Sequence, residues 1–325
     1  MAAYLATDNY DYQPNTISAT SLLKPVRQHV LSSRVPKQLQ STDLGRVVKS
    51  RIGTSIHDSV EQTWTSDAWK TALKDLGVDE ASIASIQVNP GYEKDSSGNW
   101  KWLGLPVDLT GIDPVYVEIR TSKEIEGVTI TGKFDSVTNG QVGDIKTTSV
   151  YTWINQTKVK DYVLQGSIYR WLNPELINKN YVSIHYVFTD WSEMQSKANS
   201  KYPQSQVLTE QYELLSLQET EEFIRSKLQA YKHYASSDET ELPQCNAAEL
   251  WQRAPVYKYY KDPNKRARAT KNFDSLAEAN LLLAKNKGVG IVVPHPGQVV
   301  ACKYCPAFEI CRQKDQYLQN GTLKL

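Results

Sequence analysis

The chain has 325 residues, of which 40% are hydrophobic and 22% are charged, and its formal net charge is +1. This composition predicts a globular protein with enough core for one large domain or two. It excludes a membrane-spanning helix, because no apolar run approaches about 18 residues. Since the net charge is close to zero, any surface that binds nucleic acid has to come from local clusters of lysine and arginine.

The N-terminal stretch MAAYLATDNYDYQ has neither the basic region nor the apolar core of a secretory signal peptide. We therefore expect a polar, flexible lead-in and a cytoplasmic protein, in the host cytoplasm if a phage encodes it. Residues 17–32 then predict a short helix. Residues 43–76 predict a mostly helical segment that carries His57, and residues 82–111 predict irregular structure.

Two β-prone runs follow and predict strands at residues 115–120 and 128–135. The dipeptide Asn139-Gly140 then predicts a two-residue hairpin loop, because both central positions of a type I′ turn need a positive φ. The chain returns from this loop as a strand that runs through Lys146.

Counting outward from the loop places Asp135 opposite Asp144 and Lys133 opposite Lys146. Because side chains alternate along a strand, all four lie on one face of the predicted hairpin. Like charges directly opposite each other are destabilising, and a bound divalent cation would turn that repulsion into coordination. The hairpin therefore predicts a metal site, although a single Asp-x-Lys on an edge hairpin is more often an ordinary solvated pair.

The next predicted helix covers residues 155–172 and contains Gln165 and Tyr169. These two side chains are four residues apart and share one helical face, where they could orient a lysine or contact a phosphate. Further along the chain, a strand, a second strand and a charged amphipathic helix are predicted at residues 181–189, 201–212 and 215–234.

All the cysteines lie in the last quarter of the chain, at Cys245, Cys302, Cys305 and Cys311. In a cytosolic protein such clustering favours metal binding over disulfides. Four thiolates can hold a [4Fe–4S] cluster or a Zn²⁺ ion. Zinc sites more often use two Cys-x-x-Cys pairs, and this chain has one. We place a domain boundary near residue 236, with domains at residues 1–235 and 236–325.

A basic segment at residues 253–271 contains seven lysines and arginines and one acid. We expect its cations to neutralise DNA phosphates and its interleaved tyrosines (Tyr257, Tyr259 and Tyr260) to stack on bases. The alternative is a solvated loop whose tyrosines fill the core. The predicted DNA contacts are Lys258, Lys261, Lys265, Arg266 and Arg268. Residues 272–287 then predict a helix with Asp274 or Ser275 as its N-cap.

The order of the motifs resembles the RecB-like branch of the PD-(D/E)xK nucleases. That family has a G-x-x-D motif, a D/E-x-K motif and a Q-x-x-x-Y helix in succession. The matching segments here are Gly132-Lys-Phe-Asp135, Asp144-Ile-Lys146 and Gln165-Gly-Ser-Ile-Tyr169. The resemblance covers roughly residues 17–190, and it depends on the order and spacing of the motifs rather than on any single one.

The family also carries a G-x-x-x-H-x-x-x-E motif upstream, which Gly53, His57 and Glu61 match. The resemblance implies that His57 is a metal ligand and that Glu61 is a supporting acid on the same helical face. It further implies an acid on the strand before the G-x-x-D motif, for which Glu118 is the candidate.

The resemblance implies an α/β fold with a restriction-endonuclease-like core, in which helices flank a central mixed β-sheet, plus a cysteine-stapled C-terminal extension. One or two Mg²⁺ or Mn²⁺ ions would be held by Asp135, Asp144, the carbonyl group of Ile145 and His57. Lys146 would position or deprotonate the attacking water, and the Gln-x-x-x-Tyr pair would orient Lys146 or the scissile strand.

The C-x2-C-x5-C tail is similar to the iron–sulfur staple of AddB and of the CRISPR-adaptation nucleases in the same family. This similarity favours a [4Fe–4S] cluster over zinc, and either over free thiols. In those relatives, however, the lone first cysteine precedes the nuclease motifs, whereas Cys245 follows them.

The sequence therefore predicts a metal-dependent DNA nuclease, in the first place an exonuclease acting on DNA ends in phage or bacterial recombination and repair. The alternatives are a structure-selective endonuclease and a nucleic-acid-binding protein with a silent nuclease site. A silent site has no physical reason to keep its carboxylates in repulsion. Because no Walker A motif is present, the expected protein partner is of the helicase or single-strand-annealing type.

Overall fold

The computed structural model describes residues 1–6, 15–36, 44–96 and 98–325. Most of the predicted lead-in, together with Asp43 and Ser97, lies outside the described residues. Within the described part of the chain, every helix is too short or too polar to cross a lipid bilayer.

The chain forms two compact units. The first unit comprises Met1–Leu23 and Thr42–Leu228, and the second comprises Lys24–Ser41 and Gln229–Leu325. The sequence predicts a division near residue 236, but it does not predict that an N-terminal segment belongs to the second unit.

Both units contain helices and strands, numbered here in chain order. The helices are α1 (Ala2–Ala6), α2 (Ala19–Leu22), α3 (Val26–Ser32), α4 (Leu44–Thr65), α5 (Ala68–Asp75), α6 (Glu80–Ser85), α7 (Val150–Ile154), α8 (Val159–Leu172), α9 (Glu193–Ala198), α10 (Leu217–Tyr234), α11 (Leu276–Lys285) and α12 (Gln313–Gln319). The strands are β1 (Thr16–Ser18), β2 (Ile86–Val88), β3 (Tyr92–Lys94), β4 (Trp100–Trp102), β5 (Asp113–Val117), β6 (Arg120–Ile125), β7 (Val128–Lys133), β8 (Ser136–Thr138), β9 (Gln141–Thr148), β10 (Tyr181–Phe188), β11 (Val207–Glu213), β12 (Val256–Tyr260), β13 (Lys271–Phe273) and β14 (Ile291–His295).

The first unit is built on a mixed β-sheet. In the described residues its strand order is β11-β10-β9-β8-β5-β2, in which β10 is parallel to β9, β5 is parallel to β2, and the other neighbours are antiparallel. A smaller sheet in the order β1-β7-β6 and the β3–β4 hairpin complete this unit. Helix α8 contacts β7, β9 and β10, and α4 contacts β9. The predicted α/β class, with helices flanking a central mixed sheet, is therefore confirmed.

The core of the first unit follows from the alternation of side chains along its central strands. In β10 every second residue is fully buried, at Val182, Ile184, Tyr186 and Phe188. Alternation with a period of two places these apolar side chains on one face of the sheet. That face receives helix α8, which contacts β10.

Several predicted elements differ from the observed ones. The predicted helix at residues 17–32 is instead β1, α2 and α3, with Pro25 as the N-cap of α3. The segment predicted to be irregular contains α6 and three short strands. The predicted helix at residues 155–172 begins as α8 only at Val159, and the predicted strand at residues 115–120 is divided between β5 and β6.

The second unit contains its own small core. Val30 and Leu31 from α3, together with Leu242 and Ala307, form a buried apolar cluster. Separately, β13, β12 and β14 form an antiparallel sheet in that order, and α11 contacts each strand. Ser275 is the N-cap of α11, as the sequence predicts, because its hydroxyl oxygen accepts a hydrogen bond from the N–H of Glu278.

Candidate active site

The β8–β9 hairpin provides the first part of the candidate site. Its loop is Asn139-Gly140, where both φ angles are positive, at 50° and 74°. Thr138 pairs with Gln141 across the loop, so the predicted two-residue loop and its register are confirmed.

The strand that leads into this hairpin changes sheets before it reaches the loop. In the smaller sheet Lys133 at the end of β7 lies opposite Arg120 of β6, so the predicted pairing of Lys133 with Lys146 is wrong. Asp135 lies in the bend between β7 and β8, and the β8–β9 ladder ends one residue before it would reach Asp135 and Asp144. A single bend breaks the uniform alternation that the sequence predicts along this segment.

Glu118 lies in the turn between β5 and β6, next to the bend that contains Asp135. Its φ of 53° is uncommon for a residue other than glycine. Its N–H donates to the carbonyl oxygen of Asp135 at 3.1 Å, and the N–H of Phe134 donates to that of Ile119 at 3.3 Å. The turn and the bend are thus joined by backbone hydrogen bonds. The carboxylate of Glu118 also forms an ion pair with Nζ of Lys133.

Helix α4 brings His57 to these two carboxylates. A Cβ atom on Gly53 would lie 3.3 Å from Oγ1 of Thr147 on β9, so the absence of a side chain lets the helix lie close to the sheet. Nδ1 of His57 lies 3.4 Å from Oδ1 of Asp135 and 3.8 Å from Oε1 of Glu118. Hydrogen bonds to Asp135 and then to Glu118 raise the pKa of His57 to about 10.

These three side chains form a group that fits a divalent metal ion. One ligand atom from each of His57, Glu118 and Asp135 lies within 4.8 Å of the other two. Two carboxylates and one imidazole are a donor set that suits Mg²⁺ or Mn²⁺, because the hard oxygen ligands predominate. The sequence predicts each of these residues separately, and the structure brings them together.

Asp144 and Lys146 lie side by side on β9. Nζ of Lys146 is 2.7 Å from Oδ2 of Asp144, and the Asp144 side chain is only 4% exposed. Apart from this ion pair, neither carboxylate oxygen of Asp144 has a hydrogen-bond partner among the described residues. Burial raises the pKa of Asp144, Lys146 lowers it, and the nearby Asp135 raises it further, to a net value of about 6. A buried, unsatisfied carboxylate is costly unless a ligand completes its coordination.

The Gln-x-x-x-Tyr helix orients Lys146. Nζ of Lys146 donates to Oε1 of Gln165 at 3.1 Å, and Nε2 of Gln165 donates to the hydroxyl oxygen of Tyr169 at 2.7 Å. Burial lowers the pKa of Lys146, but the carboxylates of Asp144 and Asp135 outweigh that effect, and the net shift is upward. The lysine is therefore held as a cation in a fixed position.

Glycines let α8 approach the strands closely enough for these contacts. A Cβ atom on Gly132 of β7 would lie 2.7 Å from Cδ1 of Leu172 and 3.0 Å from the ring of Tyr169. On the helix itself, a Cβ atom on Gly166 would lie 3.1 Å from Cβ of Val182 on β10. The glycine of the G-x-x-D motif therefore has a packing role that allows Tyr169 to sit beside the strand.

Two predicted residues have different contacts from those expected. Glu61 pairs with Lys94 of β3 at 3.1 Å and is not part of the three-residue group. The N–H of Ile145 donates to Oδ2 of Asp135 at 2.6 Å. The carbonyl group of Ile145 as a metal ligand stays a prediction.

Sequence reasoning missed Tyr162, whose ring centroid lies 5.5 Å from Nζ of Lys146. It precedes Gln165 by three residues and therefore shares its helical face, so helical spacing could have identified it. The ion pair between Lys133 and Glu118 had no local signal, because it depends on the change of sheets at Asp135.

In the second unit, the cysteines are half-buried thiols. Burial, followed by Glu249 and by the thiols of Cys311 and Cys305, raises the pKa of Cys245 to about 12. Burial and the thiols of Cys305 and Cys311 likewise raise the pKa of Cys302, to about 11. Cys305 and Cys311 thus influence both Cys245 and Cys302, although among the described residues no three of these sulfur atoms lie within 4.8 Å of one another. Four soft sulfur donors suit an iron–sulfur cluster or zinc.

Two polar side chains that the sequence did not single out lie next to these thiols. Arg27 of α3 is buried, pairs with Glu239, and donates from Nε to Sγ of Cys311 at 3.3 Å. Gln313 binds the backbone of Cys245 twice: its Oε1 accepts from the N–H at 2.9 Å, and its Nε2 donates to the carbonyl oxygen at 2.8 Å. Arg27 is separated from Cys311 by most of the chain, so no local pattern predicts this contact.

The basic segment forms β12, the following loop and the start of β13. Its predicted DNA-contact residues are exposed, at Lys261, Lys265, Arg266 and Arg268, except for the half-buried Lys258 on β12. The prediction that its tyrosines stack on bases is wrong for two of them, because Tyr259 is 1% exposed and Tyr260 is 4% exposed. They pack in the core of the second unit, which is the alternative that the sequence left open.

No protein-family model and no curated protein matches the chain. The crystal structure of SSO0001 is similar with a TM-score of 0.39 at 15% identity, covering 72% of this chain and 83% of that chain. The crystal structure of a phage related exonuclease from Haemophilus somnus 129PT is similar with a TM-score of 0.24 at 18% identity, covering 35% of this chain and 57% of that chain. At TM-scores this low, neither similarity establishes a shared activity.

Proposed function

We propose that the first unit is a metal-dependent nuclease with a restriction-endonuclease-like core of the RecB-like type. One observation carries this proposal: Lys146 is held between a buried carboxylate and an amide that is itself held by a tyrosine. Nζ of Lys146 lies 2.7 Å from Asp144 and 3.1 Å from Gln165, which Tyr169 holds in place.

The residues that would hold Mg²⁺ or Mn²⁺ are His57, Glu118, Asp135 and Asp144. The ligand atoms of the first three lie within 4.8 Å of one another, and the fourth is a buried carboxylate whose one polar contact among the described residues is Lys146. When bound, one or two such ions supply Lewis-acid stabilisation of the phosphoryl oxygens and lower the pKa of a coordinated water.

The chain's own residues then determine where the nucleophile is placed. Lys146, as a compact cation, holds the attacking water by a hydrogen bond and offsets negative charge on the phosphoryl group in the transition state. Gln165 and Tyr169 keep the ammonium group in position, so that little reorganisation is needed when the substrate binds. Tyr162 limits the movement of the ammonium group on a further side.

The preferred activity is exonucleolytic hydrolysis of DNA ends, as in phage or bacterial recombination and repair. A structure-selective endonuclease is the second candidate. A nucleic-acid-binding protein with a silent site is the third, and one observation weighs against it. Asp144 is buried, and its one polar contact among the described residues is the ion pair with Lys146, so a bound cation would offset the remaining cost of burying an ionised carboxylate.

The test is incubation of the purified chain with linear duplex, closed circular and single-stranded DNA and with single-stranded RNA, each with Mg²⁺, Mn²⁺ or EDTA. We expect metal-dependent degradation of linear DNA that EDTA stops, with closed circular DNA left intact. Cleavage of circular DNA would support the endonuclease instead. Binding of DNA without cleavage of any substrate, in either metal, would contradict the proposal and support the silent site.

For the second unit, we propose that Cys245, Cys302, Cys305 and Cys311 hold a [4Fe–4S] cluster, with Zn²⁺ as the alternative. The chemistry of four soft sulfur donors in one unit supports this proposal, as does the arginine that donates to Cys311. Such a site would act as a structural staple for the C-terminal extension, since structural metal sites contribute folding free energy. We also propose a helicase or a single-strand-annealing protein as a partner, because the sequence contains no Walker A motif.

A further inference from the structure

The loop between β12 and β13 carries a dense group of exposed cations. The residues from 261 to 268 are all exposed, and they include Lys261, Lys265, Arg266 and Arg268. The chain as a whole has a net charge of only +1, so this concentration of positive charge is local. We call residues 261–270 the basic loop.

Most cations of the basic loop have no ion pair with a described carboxylate. Within the described residues, the nearest carboxylate to any of them is Asp262, whose Oδ2 lies 3.8 Å from Nζ of Lys265. The other three cations have no ion pair with a described carboxylate, and Arg266 uses only its Nε to donate to the carbonyl oxygen of Pro263, at 2.8 Å. Most of the charge is therefore available to an external anion.

Hydrogen bonds from backbone N–H groups also restrain the conformation of the basic loop. The N–H of Asn264 donates to Oδ1 of Asp262 at 3.0 Å, and the N–H of Lys261 donates to Oγ1 of Thr270 at 3.0 Å. The N–H of Thr270 donates to the carbonyl oxygen of Tyr259 at 2.9 Å. Because these bonds are already made, less conformational entropy is lost when the loop binds.

The tyrosines beside the loop support it from inside. The hydroxyl group of Tyr259 donates to the carbonyl oxygen of Val289 at 2.6 Å and accepts from Nδ2 of Asn286 at 3.0 Å. A Cβ atom on Gly290 would lie 2.8 Å from the Tyr259 ring, so the ring fills the space that this glycine leaves. The rings of Tyr259 and Tyr260 are buried in the core and do not stack on nucleobases, and Tyr257 is half-buried on β12.

The combination of exposed cations and buried tyrosine rings favours duplex over single-stranded nucleic acid. Proteins that bind single strands without sequence preference combine cations with exposed aromatic platforms on which bases stack. Cations without such platforms contact phosphates and sugars, and the phosphate charges are most closely spaced along a duplex, at roughly one per 1.7 Å of helix axis. We infer that the basic loop binds the phosphate backbone of duplex DNA, independently of its base sequence.

This inference rests on the proposed nuclease function for its choice of DNA as partner, but its test does not depend on cleavage. Binding of the full chain to fluorescent duplexes is measured by anisotropy in EDTA over a range of salt concentrations. The variant carries Lys261→Ala, Arg266→Ala and Arg268→Ala together. The matched control removes three exposed lysines that already pair with a carboxylate, namely Lys70, Lys74 and Lys197.

We expect each lost contact to reduce the slope of log affinity against log salt concentration by about 0.9, so the triple variant should lose a slope of up to about 2.7. Raising the salt concentration from about 50 to 200 mM should then weaken DNA binding by wild type about 40-fold more than it weakens DNA binding by the triple variant. Two duplexes of unrelated sequence should respond alike, single-stranded oligo-dT should bind more weakly than duplex, and the control variant should match wild type.

The inference is overturned if the triple variant keeps the wild-type slope, if the loss depends on the duplex sequence, or if oligo-dT binds as tightly as duplex. Circular dichroism and thermal melting confirm that the variant is folded, which its exposed substitution sites favour. A chain that binds duplex through the loop but cuts nothing would remove the nuclease function and leave this inference standing. If the wild-type chain cuts DNA but the loop variant binds DNA normally, the nuclease function stands and the inference about the basic loop is wrong.

Discussion

At the scale of single residues, Lys146 and Asp144 define the candidate site. The ion pair between them is buried, and burial makes such pairs costly unless further polar contacts complete them. Gln165 completes the contacts of the lysine, whereas the carboxylate has none besides the lysine. This imbalance is the expected condition of a ligand side chain without its ion.

The first prediction concerns the orientation of Lys146. Gln165→Ala should lower kcat by roughly tenfold or more, which corresponds to ~1.4 kcal/mol, because the ammonium group loses one of its two polar partners. KM should change little, since the substrate contacts remain. Tyr169→Phe, which removes only the hydroxyl group that holds Gln165, should give a smaller loss in the same direction. Rates equal to wild type in both variants, measured under single-turnover conditions, would show that α8 does not position the lysine.

The second prediction concerns Gly132. Its replacement by alanine places a Cβ atom 2.7 Å from Leu172, so α8 must move away from β7. We expect a destabilisation of about 1–3 kcal/mol, as for other overpacked cores, together with lower activity because Tyr169 moves with the helix. Ser122→Ala, at an exposed position on the adjacent β6, should leave the melting temperature nearly unchanged. Equal melting temperatures for both variants would refute the close approach.

At the scale of elements, the hairpin and α8 were largely predictable, because their signals are local. An Asn-Gly loop fixes the register of its own strands, and a spacing of four places Gln165 and Tyr169 on one helical face. The partner of Lys133 was not predictable in this way. It depends on the bend at Asp135, where the chain leaves one sheet and enters another, and no nearby residue signals that change.

The third prediction concerns α4, which carries His57 to the two carboxylates. A histidine must be neutral to bind a metal ion, whereas in the metal-free chain its two carboxylate partners favour the protonated form and raise its pKa to about 10. Binding of Mn²⁺ should therefore release a proton, and the affinity should increase as the pH rises toward that value. Calorimetric titrations in buffers of different ionisation enthalpy measure the proton release.

In His57→Gln we expect Mn²⁺ to bind more weakly and to release fewer protons than in wild type, where Asp144, with a pKa of about 6, is the other group that can lose a proton. The variant should stay folded, because its position on α4 is partly exposed. If His57→Gln releases as many protons as wild type on binding Mn²⁺, then His57 is not a metal ligand and its role is structural.

At the scale of the whole molecule, the chain consists of two compact units with separate cores. The sequence located the cysteine cluster and the basic segment, because both are concentrated in composition. It did not locate Arg27, and it did not assign the segment around α3 to the second unit, because these depend on contacts between distant parts of the chain. Buried tyrosines in a basic segment also look the same in sequence as exposed ones.

The fourth prediction concerns the metal site of the second unit. Cys305→Ser should remove the bound metal, lower the thermal stability of the second unit and weaken DNA binding, because the basic loop lies between Cys245 and Cys302 in the chain. Wild type purified without oxygen should be brown if it holds an iron–sulfur cluster, and colourless with bound zinc otherwise. Hydrogen exchange should become faster in the second unit and stay unchanged around the β8–β9 hairpin.

Gln252→Ala, at an exposed position of the same unit, serves as the control and should keep both metal and stability. Wild-type protein that carries no metal at its cysteines, and yet is as stable and active as any preparation that does, would contradict the staple.

The central claim is that Asp144 and Lys146 belong to a metal-dependent nuclease centre, and single-turnover cleavage of linear duplex DNA with Mg²⁺ tests it most directly. Wild type is compared with Asp144→Asn, with Lys146→Ala and with the control Lys197→Ala, which removes an exposed lysine of α9. We predict a loss of about a thousandfold or more for the first two variants, as expected when transition-state charge stabilisation is removed, with DNA binding retained. Cleavage at the wild-type rate by folded Asp144→Asn or Lys146→Ala protein would contradict the assignment.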